Sequence, residues 1–272
     1  MKLLFWRRDP IPVLELHGLI ATRAGALNIQ AIGPLIARAI ATAGRGGTLI
    51  VDIESPGGSP VQSDLIAGRI RRLADKEGVK VRTVIGEVGA SGGYWLACAG
   101  DHITAHPMSI VGSIGVIGGG FGFPEALARL GVERRIYKAG ENKARLDPFS
   151  AERPADITFV AGLMENLHTR FKDWVRSRRA GKLTADEAAI FDGGYMLGEQ
   201  ALALGLVDGL GDLDSVLREV GGANARARVF RPRRRRFLGR LTRMAARGVV
   251  EAGLDVLEER AAQPSLRISL GS

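Results

Sequence analysis

Apolar residues along this chain gather in short runs, and the runs alternate between two periodicities. VLEL (13–16), TLIVDI (48–53) and VRTVIGEV (81–88) are brief, rich in β-branched residues and read as strands. Between the first two, Ile29, Ile32, Leu35, Ile36, Ala39 and Ile40 recur at helical spacing over 28–43. A turn, SPGGSP (55–60), precedes a second helix carrying Leu65, Ile66, Ile70 and Leu73. Gly89–Gly93 opens a third helix, and His102–Ala105 reads as another strand. Short strands alternating with helices predict an α/β layered domain with a largely parallel sheet.

The second half is less regular. SIVGSIGVIGGGFGF (109–123) is too glycine-rich for extended secondary structure, and VERRIYKAG (132–140) is predicted as a strand. Residues 152–179 predict a long amphipathic helix with Phe159, Leu163, Leu167, Phe171 and Trp174 along one side. GYMLGEQALALGLVDGLG (194–211) predicts a small helix with Gly205 as its cap, and 212–220 a final one. No internal repeat is visible. The expected organisation is an N-terminal segment (1–10), one domain (11–222), and a C-terminal basic extension (223–272). That extension is read as an arginine-rich linker, RARVFRPRRRRF (226–237), and a helix with Leu238, Leu241, Ala245, Val249, Ala252 and Val256 on one side.

Charge sharpens this division. The formal net charge is +9, yet ten arginines and no acid lie between Arg226 and Arg247; elsewhere 28 basic residues face 29 acidic ones. Basicity belongs to the extension, which is expected to be solvated or to contact anionic lipid or another subunit. Nucleic acid is disfavoured as a partner, because no aromatic platform accompanies the arginines and the domain is near neutral. No stretch approaches the roughly 20 apolar residues of a membrane span. The short LLFW patch at the start is cut off by Arg7, Arg8, Asp9 and Pro10, so no signal peptide is predicted; the expected location is cytoplasmic, with peripheral membrane contact as an option. A single cysteine, Cys98, rules out an internal disulfide and reads as a small buried side chain. Neither a Walker-type phosphate loop nor metal-ligand spacing is present, so no cofactor is expected.

The candidate chemistry centres on Gly89-Ala90-Ser91-Gly92-Gly93, which fits the G-x-S-x-G elbow that exposes a nucleophilic serine between a strand and a helix. Alone, the pattern serves equally as a structural turn. Serine needs a base, and two kinds are available. Asp147 or Asp156 with His168 would complete a histidine-based hydrolase, but His168 falls within the long helix, and His17, His102 and His106 read as structural or surface residues. Lysine is the other choice: a free lysine, with a pKa of about 10.4, must be held in a prepared site to act as a base near neutral pH. Arginine cannot serve, because it does not release its proton. Lys143, in AGENKARLDPF (139–149), stands in a loop after the predicted strand, whereas Lys2, Lys76 and Lys80 read as surface residues. Ser55-Pro56-Gly57-Gly58-Ser59 follows a strand directly and can aim a backbone N–H into a cleft, as an oxyanion hole requires; the N–H of Gly92 is the natural second donor.

In combination, IESPGGSP (53–60), GASGGYWLACAGD (89–101), SIVGSIGVIGG (109–119), YKAGENKARLDPF (137–149) and GLVDGLG (205–211) resemble the signal peptide peptidase A family, serine–lysine peptidases of family S49 with a ClpP/crotonase-like fold. The resemblance covers roughly 11–220. It implies Ser91 as nucleophile, Lys143 as general base rather than Lys138, and Ser113 as the residue that orients Lys143. It further implies Gly58 and Gly92 as oxyanion donors, and Gly57 and Gly118 at the substrate. The loop departs from the family in reading ENKAR where a Lys-Tyr-Lys run is common. Peptide substrates, such as remnant signal peptides, and a homo-oligomeric ring with the active site near subunit interfaces are the implied partners. Two rivals stand beside this reading: a histidine-based esterase, and an inactive scaffold that binds membranes or partners through its basic extension.

Overall fold

The computed structural model describes residues 9–232; the LLFW patch and the predicted helix over Leu238–Val256 lie outside them. Among these, two compact units emerge, one built from residues up to Ile117 together with those from Gly162 onward, the other containing Gly118–Ala161.

The first unit holds the sheet. In chain order its elements begin β1 (Ile11–His17), α1 (Ile29–Ala43), β2 (Thr48–Ser55), α2 (Pro60–Glu77), β3 (Lys80–Ala90), α3 (Gly92–Ala97), β4 (His102–Ala105) and β5 (Ile110–Gly112). With β6 (Tyr195–Leu197), β7 (Gly209–Leu210) and β8 (Ala227–Phe230) from later in the chain, the strand order is β6-β5-β3-β2-β1-β8, with β4 also on β3 and β7 on β4; every pairing is parallel except the antiparallel β5–β6. The predicted α/β fold with a largely parallel sheet is what the structure shows. Parallel strands covered on both faces read as nearly unbroken apolar runs, which is why VLEL, TLIVDI and VRTVIGEV were legible. Alternation then sorts the faces. Leu14, Leu16, Leu49, Val51, Ile53, Val81 and Ile85 join Ile32, Ile36, Ile66 and Ile70 of the helices in the main core, while Val13, Ile50 and Val84 meet Val216 on the other side.

Local sequence fixes the helix ends. Asn28 accepts the Ala31 N–H at the start of α1, and Ser59 accepts the Gln62 N–H at the start of α2, ahead of Pro60. Gly78, in the left-handed region at φ 66°, ends α2.

A short helix α4 (Pro124–Arg129) belongs to the second unit, over residues for which no element was predicted. The strand expected over 132–140 is absent; 132–138 carries no regular structure and 131–143 is exposed throughout. Val132, Ile136 and Tyr137 have the composition of a strand, but among the described residues no strand pairs with them. Their charged companions make local ion pairs instead, Arg135 with Glu133 at 2.7 Å and Arg134 with Asp147 at 3.0 Å. The long helix forms as α5 (Pro154–Arg178), but its apolar side is only partly used: Phe171 and Val175 are buried, whereas Phe159 and Leu163 are exposed.

The first unit then continues through α6 (Glu187–Ile190), β6 (Tyr195–Leu197), α7 (Gly198–Ala203), β7 (Gly209–Leu210), α8 (Leu213–Gly221) and β8 (Ala227–Phe230). Gly205, at φ 75°, follows α7 as expected of a cap. The strand β8 lies inside the stretch read as a linker. ARVF pairs parallel with Ile11–Leu14 and buries Phe230.

Candidate active site

The site begins where β2 and β3 end, at the carboxyl edge of the sheet, where ligands bind in parallel α/β proteins. The pairing of β2 with β3 is regular to Ile53–Ile85 and then jumps to Ser55–Gly89, so β3 takes two more residues than β2 to reach the same level. Ser91 is the first residue past β3 and the N-cap of α3. Its backbone sits at φ 51°, ψ −122°, a conformation that non-glycine residues rarely adopt. Two bonds hold it there: its N–H donates to the Gly112 carbonyl at 2.8 Å, and its carbonyl accepts the Trp95 N–H at 3.0 Å. Among the described residues of the first unit the half-buried Ser91 hydroxyl has no hydrogen-bond partner.

The surrounding glycines are required by contact. A Cβ at Gly93 would collide with the Ser55 carbonyl oxygen, and one at Gly92 with the Ser63 hydroxyl. Gly57, at φ 105°, approaches the elbow so closely that a Cβ there would lie 2.7 Å from the Gly92 nitrogen and 2.8 Å from the Ser91 Cβ. The SPGG turn and the serine elbow are therefore in van der Waals contact, an arrangement that only backbone without side chains permits.

Ile20, which no sequence motif marks, places the turn. Its N–H donates to the Gly57 carbonyl at 2.8 Å, and its carbonyl accepts the Ser59 N–H at 2.7 Å. Because a trans peptide sets C=O and N–H on opposite sides, fastening the Gly57 carbonyl to Ile20 turns the Gly58 N–H the other way. Gly58 is exposed, and among the described residues of the first unit neither its N–H nor that of Gly92 has an acceptor. Ile20 acts through its backbone, so no side-chain pattern signals it.

The helix behind Ser91 is anchored by the pair that follows the glycines. Tyr94 is fully buried and donates to the Leu206 carbonyl at 2.7 Å. Trp95 packs on Phe171 with ring centroids 5.0 Å apart and stacks on Trp174 at 6.0 Å, while the Trp174 indole donates to the Trp95 carbonyl. At its far end, Arg178 donates to the carbonyls of Cys98 and Gly100, and Arg71 to that of Ala99. Burial pushes the Cys98 thiol up to about 12, so it stays protonated and inert.

Ser113 lies just beyond β5 with its backbone at φ 51°; its N–H donates to the Gly194 carbonyl at 2.6 Å. Since Gly112 holds Ser91, the segment bearing Ser113 is brought to the elbow. Gly118 opens the second unit and is exposed. Lys143 belongs to that second unit, on an exposed 3-10 turn, Glu141–Ala144, that follows Gly140 at φ 93°. Nearby, Lys138 donates from Nζ to the Glu141 carbonyl at 2.9 Å.

The histidines are engaged elsewhere. His17 bonds Asp52 at 2.9 Å, and that bond raises its pKa against the opposing effect of burial. Burial, followed by the charge of Arg82, lowers the pKa of His102. His106 accepts the Met108 N–H, and His168 bonds the Ile114 carbonyl through Nε2 at 2.9 Å. Asp156 is taken by Arg145 and Arg153, and Asp147 by Arg134 and Ser150. Among the described residues no cluster of three metal-ligating side chains occurs, and no helix is long and apolar enough to cross a membrane.

A half-buried serine elbow packed against a glycine turn, at the carboxyl edge of a parallel α/β sheet, has the form of a hydrolase nucleophile site. Residues 74–225 match the model of peptidase family S49, and the chain belongs to that family. The match takes in Ser91, Gly92, Ser113 and Lys143. The chain is 45% identical over 228 residues to a Brucella abortus protein named Na(+)/H(+) antiporter NhaA, covering 82% of this chain and 31% of that one. It is 30% identical over 171 residues to "Probable protease SohB" of Haemophilus influenzae (63% of this chain, 47% of that one). It is 28% identical over 182 residues to "Probable protease SohB" of Buchnera aphidicola (67% and 53%). The chain thus spans about a third of the length of the Brucella relative and about half that of the two proteases.

Proposed function

We propose that this chain is a serine endopeptidase of the signal peptide peptidase A type. Ser91 is the nucleophile and Lys143 the general base, with Ser113 orienting the lysine. Once Lys143 takes its proton, Ser91 Oγ attacks the scissile carbonyl. The N–H groups of Gly58 and Gly92 bind the resulting oxyanion; collapse releases the amine, and water hydrolyses the acyl-enzyme. Gly57 and Gly118 face the substrate backbone. Substrates are extended peptides or unfolded segments with small or apolar residues near the cut, remnant signal peptides among them.

The observation that carries this reading is the close approach of Gly57 to Ser91 and Gly92, which joins the glycine turn to a serine of strained backbone whose hydroxyl, like the Gly58 and Gly92 N–H groups, has no hydrogen-bond partner among the described residues. Membership in a peptidase family and the names of the SohB relatives support it. The Brucella relative's name describes a protein of which this chain matches 31%, and the motifs this chain carries are those of a peptidase. Assembly into a homo-oligomer belongs to the proposal. In the second unit Phe121, Leu130 and Tyr137 are exposed, apolar surface that contact between copies would remove from water. Casein digestion by the wild type and by Ser91→Ala tests the proposal: the first should degrade casein and the second should not.

A further inference from the structure

The oxyanion turn is made of residues that cannot hold themselves in place. Pro56 has no N–H to donate, and Gly57 and Gly58 sit at φ 105° and 133°, where glycine rotates at little steric cost. Two peptide planes decide where the Gly58 N–H points. Ile20 pins the second of them, Gly57–Gly58, as described above. The first, Pro56–Gly57, is pinned by a side chain: the Gly57 N–H donates to the hydroxyl of Ser55 at 3.2 Å.

We infer that Ser55 is a positioning residue for the oxyanion hole, an inference that rests on the peptidase reading above. Ser55 is fully buried at the end of β2. Its register partner is Gly89, which leads into the serine elbow. Its backbone carbonyl occupies the space a side chain at Gly93 would need, and its Cβ lies 3.2 Å from that same point. One residue therefore braces both halves of the hole. Its hydroxyl fixes the turn that presents the Gly58 N–H, and its backbone seats the start of the helix that presents the Gly92 N–H. A serine side chain accepting from the N–H two residues on is a local turn device, so the hydroxyl does this without disturbing the strand. Ser55 is fully buried, so its place is behind the turn rather than against substrate. Without its hydroxyl the Gly57 amide is buried and unsatisfied, the Pro56–Gly57 plane is free to turn, and the Gly58 N–H is no longer held where negative charge develops.

The test compares wild type, Ser55→Ala, Ser55→Thr and Ser55→Cys for kcat and KM on a peptide substrate, for the affinity of a peptide aldehyde, and for melting temperature. The aldehyde adduct places its hemiacetal oxygen in the same hole, so it reports on the N–H groups rather than on substrate binding. Loss of one oxyanion donor costs on the order of a hundredfold or more; a donor that is displaced, as in Ser55→Ala, should lower kcat on the order of 10–100-fold, with KM little changed. Aldehyde affinity should weaken in parallel, threonine should restore both, and cysteine, a weaker acceptor of similar size, should fall between. Unchanged kcat and aldehyde affinity in a folded Ser55→Ala would overturn the inference. So would a defect that follows melting temperature and KM without rescue by threonine, since that assigns Ser55 to folding alone. A wild type that neither hydrolyses peptide nor binds the aldehyde would instead remove the peptidase reading, and this inference with it.

Discussion

Gly57 and Gly92 meet with no room for a side chain between them: a Cβ on Gly57 would stand 2.7 Å from the Gly92 nitrogen. Replacing Gly57 by alanine sets a methyl group into that contact and forces an L-residue to φ 105°. The strained backbone alone costs about 1–3 kcal/mol. Separation of the two N–H groups should lower kcat on the order of a hundredfold or more, as when an oxyanion donor is lost. Urea unfolding and initial rates on a peptide substrate check the two effects separately.

The ion pair of buried Arg179 with half-buried Asp208 holds the other end of the site's scaffold. Arg179 bonds Asp208 at 2.7 Å and the Gly205 carbonyl, Lys182 bonds the same carboxylate, and the Ile103 N–H donates to it. Burial by itself would raise the Asp208 pKa, but the bonds from Arg179, Lys182 and Ile103 outweigh it and hold the carboxyl well below the usual range. Asp208→Asn leaves a buried guanidinium without its counter-charge and should destabilise by about 3 kcal/mol. A depressed carboxylate contributes stability above its ordinary pKa of 3.8 and loses it as the pH falls through the folded value. The gap between wild type and Asp208→Asn should therefore be full at pH 7 and shrink below about pH 4. Denaturant titrations at several pH values measure it.

His17 carries the opposite sign. Its bond to Asp52 raises its pKa above 6.5, with the charges of Asp52, Glu54 and Glu15 adding to the effect and burial opposing it. The protonated imidazole thus stabilises the fold below pH 6.5, and that contribution is lost as the pH rises through the raised value. With the imidazole and Glu54 more than a third exposed, the effect should stay under about 1 kcal/mol. NMR titration of His17 in wild type and in Asp52→Asn checks the cause: the pKa should fall when the carboxylate is removed.

Cys98 reports on the integrity of the α3 helix. Its thiol is fully buried and its pKa is pushed up to about 12 by that burial, so folded protein at pH 8 should resist a disulfide-exchange reagent. Full reaction should appear only across the urea transition. Rapid labelling without denaturant would show that the helix behind Ser91 opens readily.

How much of this was legible in the chain differs by kind of signal. Strands with both faces buried announce themselves by composition, as 13–16, 48–53 and 81–88 did, and the glycines flanking Ser91 pointed to a tight turn. Val132, Ile136 and Tyr137 have the same composition without a partner strand, and strand propensity unsupported by pairing forms nothing. The strand Ala227–Phe230 was hidden for the converse reason: arginines surround it, yet as an edge strand it buries Phe230 while Val229 stays exposed. Ser91 could be placed because a nucleophile must be a particular side chain. Ile20 could not, because its contribution is two backbone bonds that any residue except proline could make.

The central claim is that Ser91 reacts with Lys143 as its base. It is tested most directly by measuring hydrolysis of one peptide substrate, and labelling of Ser91 by a fluorophosphonate probe, in wild type, Ser91→Ala, Lys143→Ala and His168→Ala. Hydrolysis and an adduct on Ser91 are expected in wild type and His168→Ala, neither in Ser91→Ala, and a loss of both on the order of a thousandfold or more in Lys143→Ala. Hydrolysis that survives Lys143→Ala but is lost in His168→Ala would contradict it.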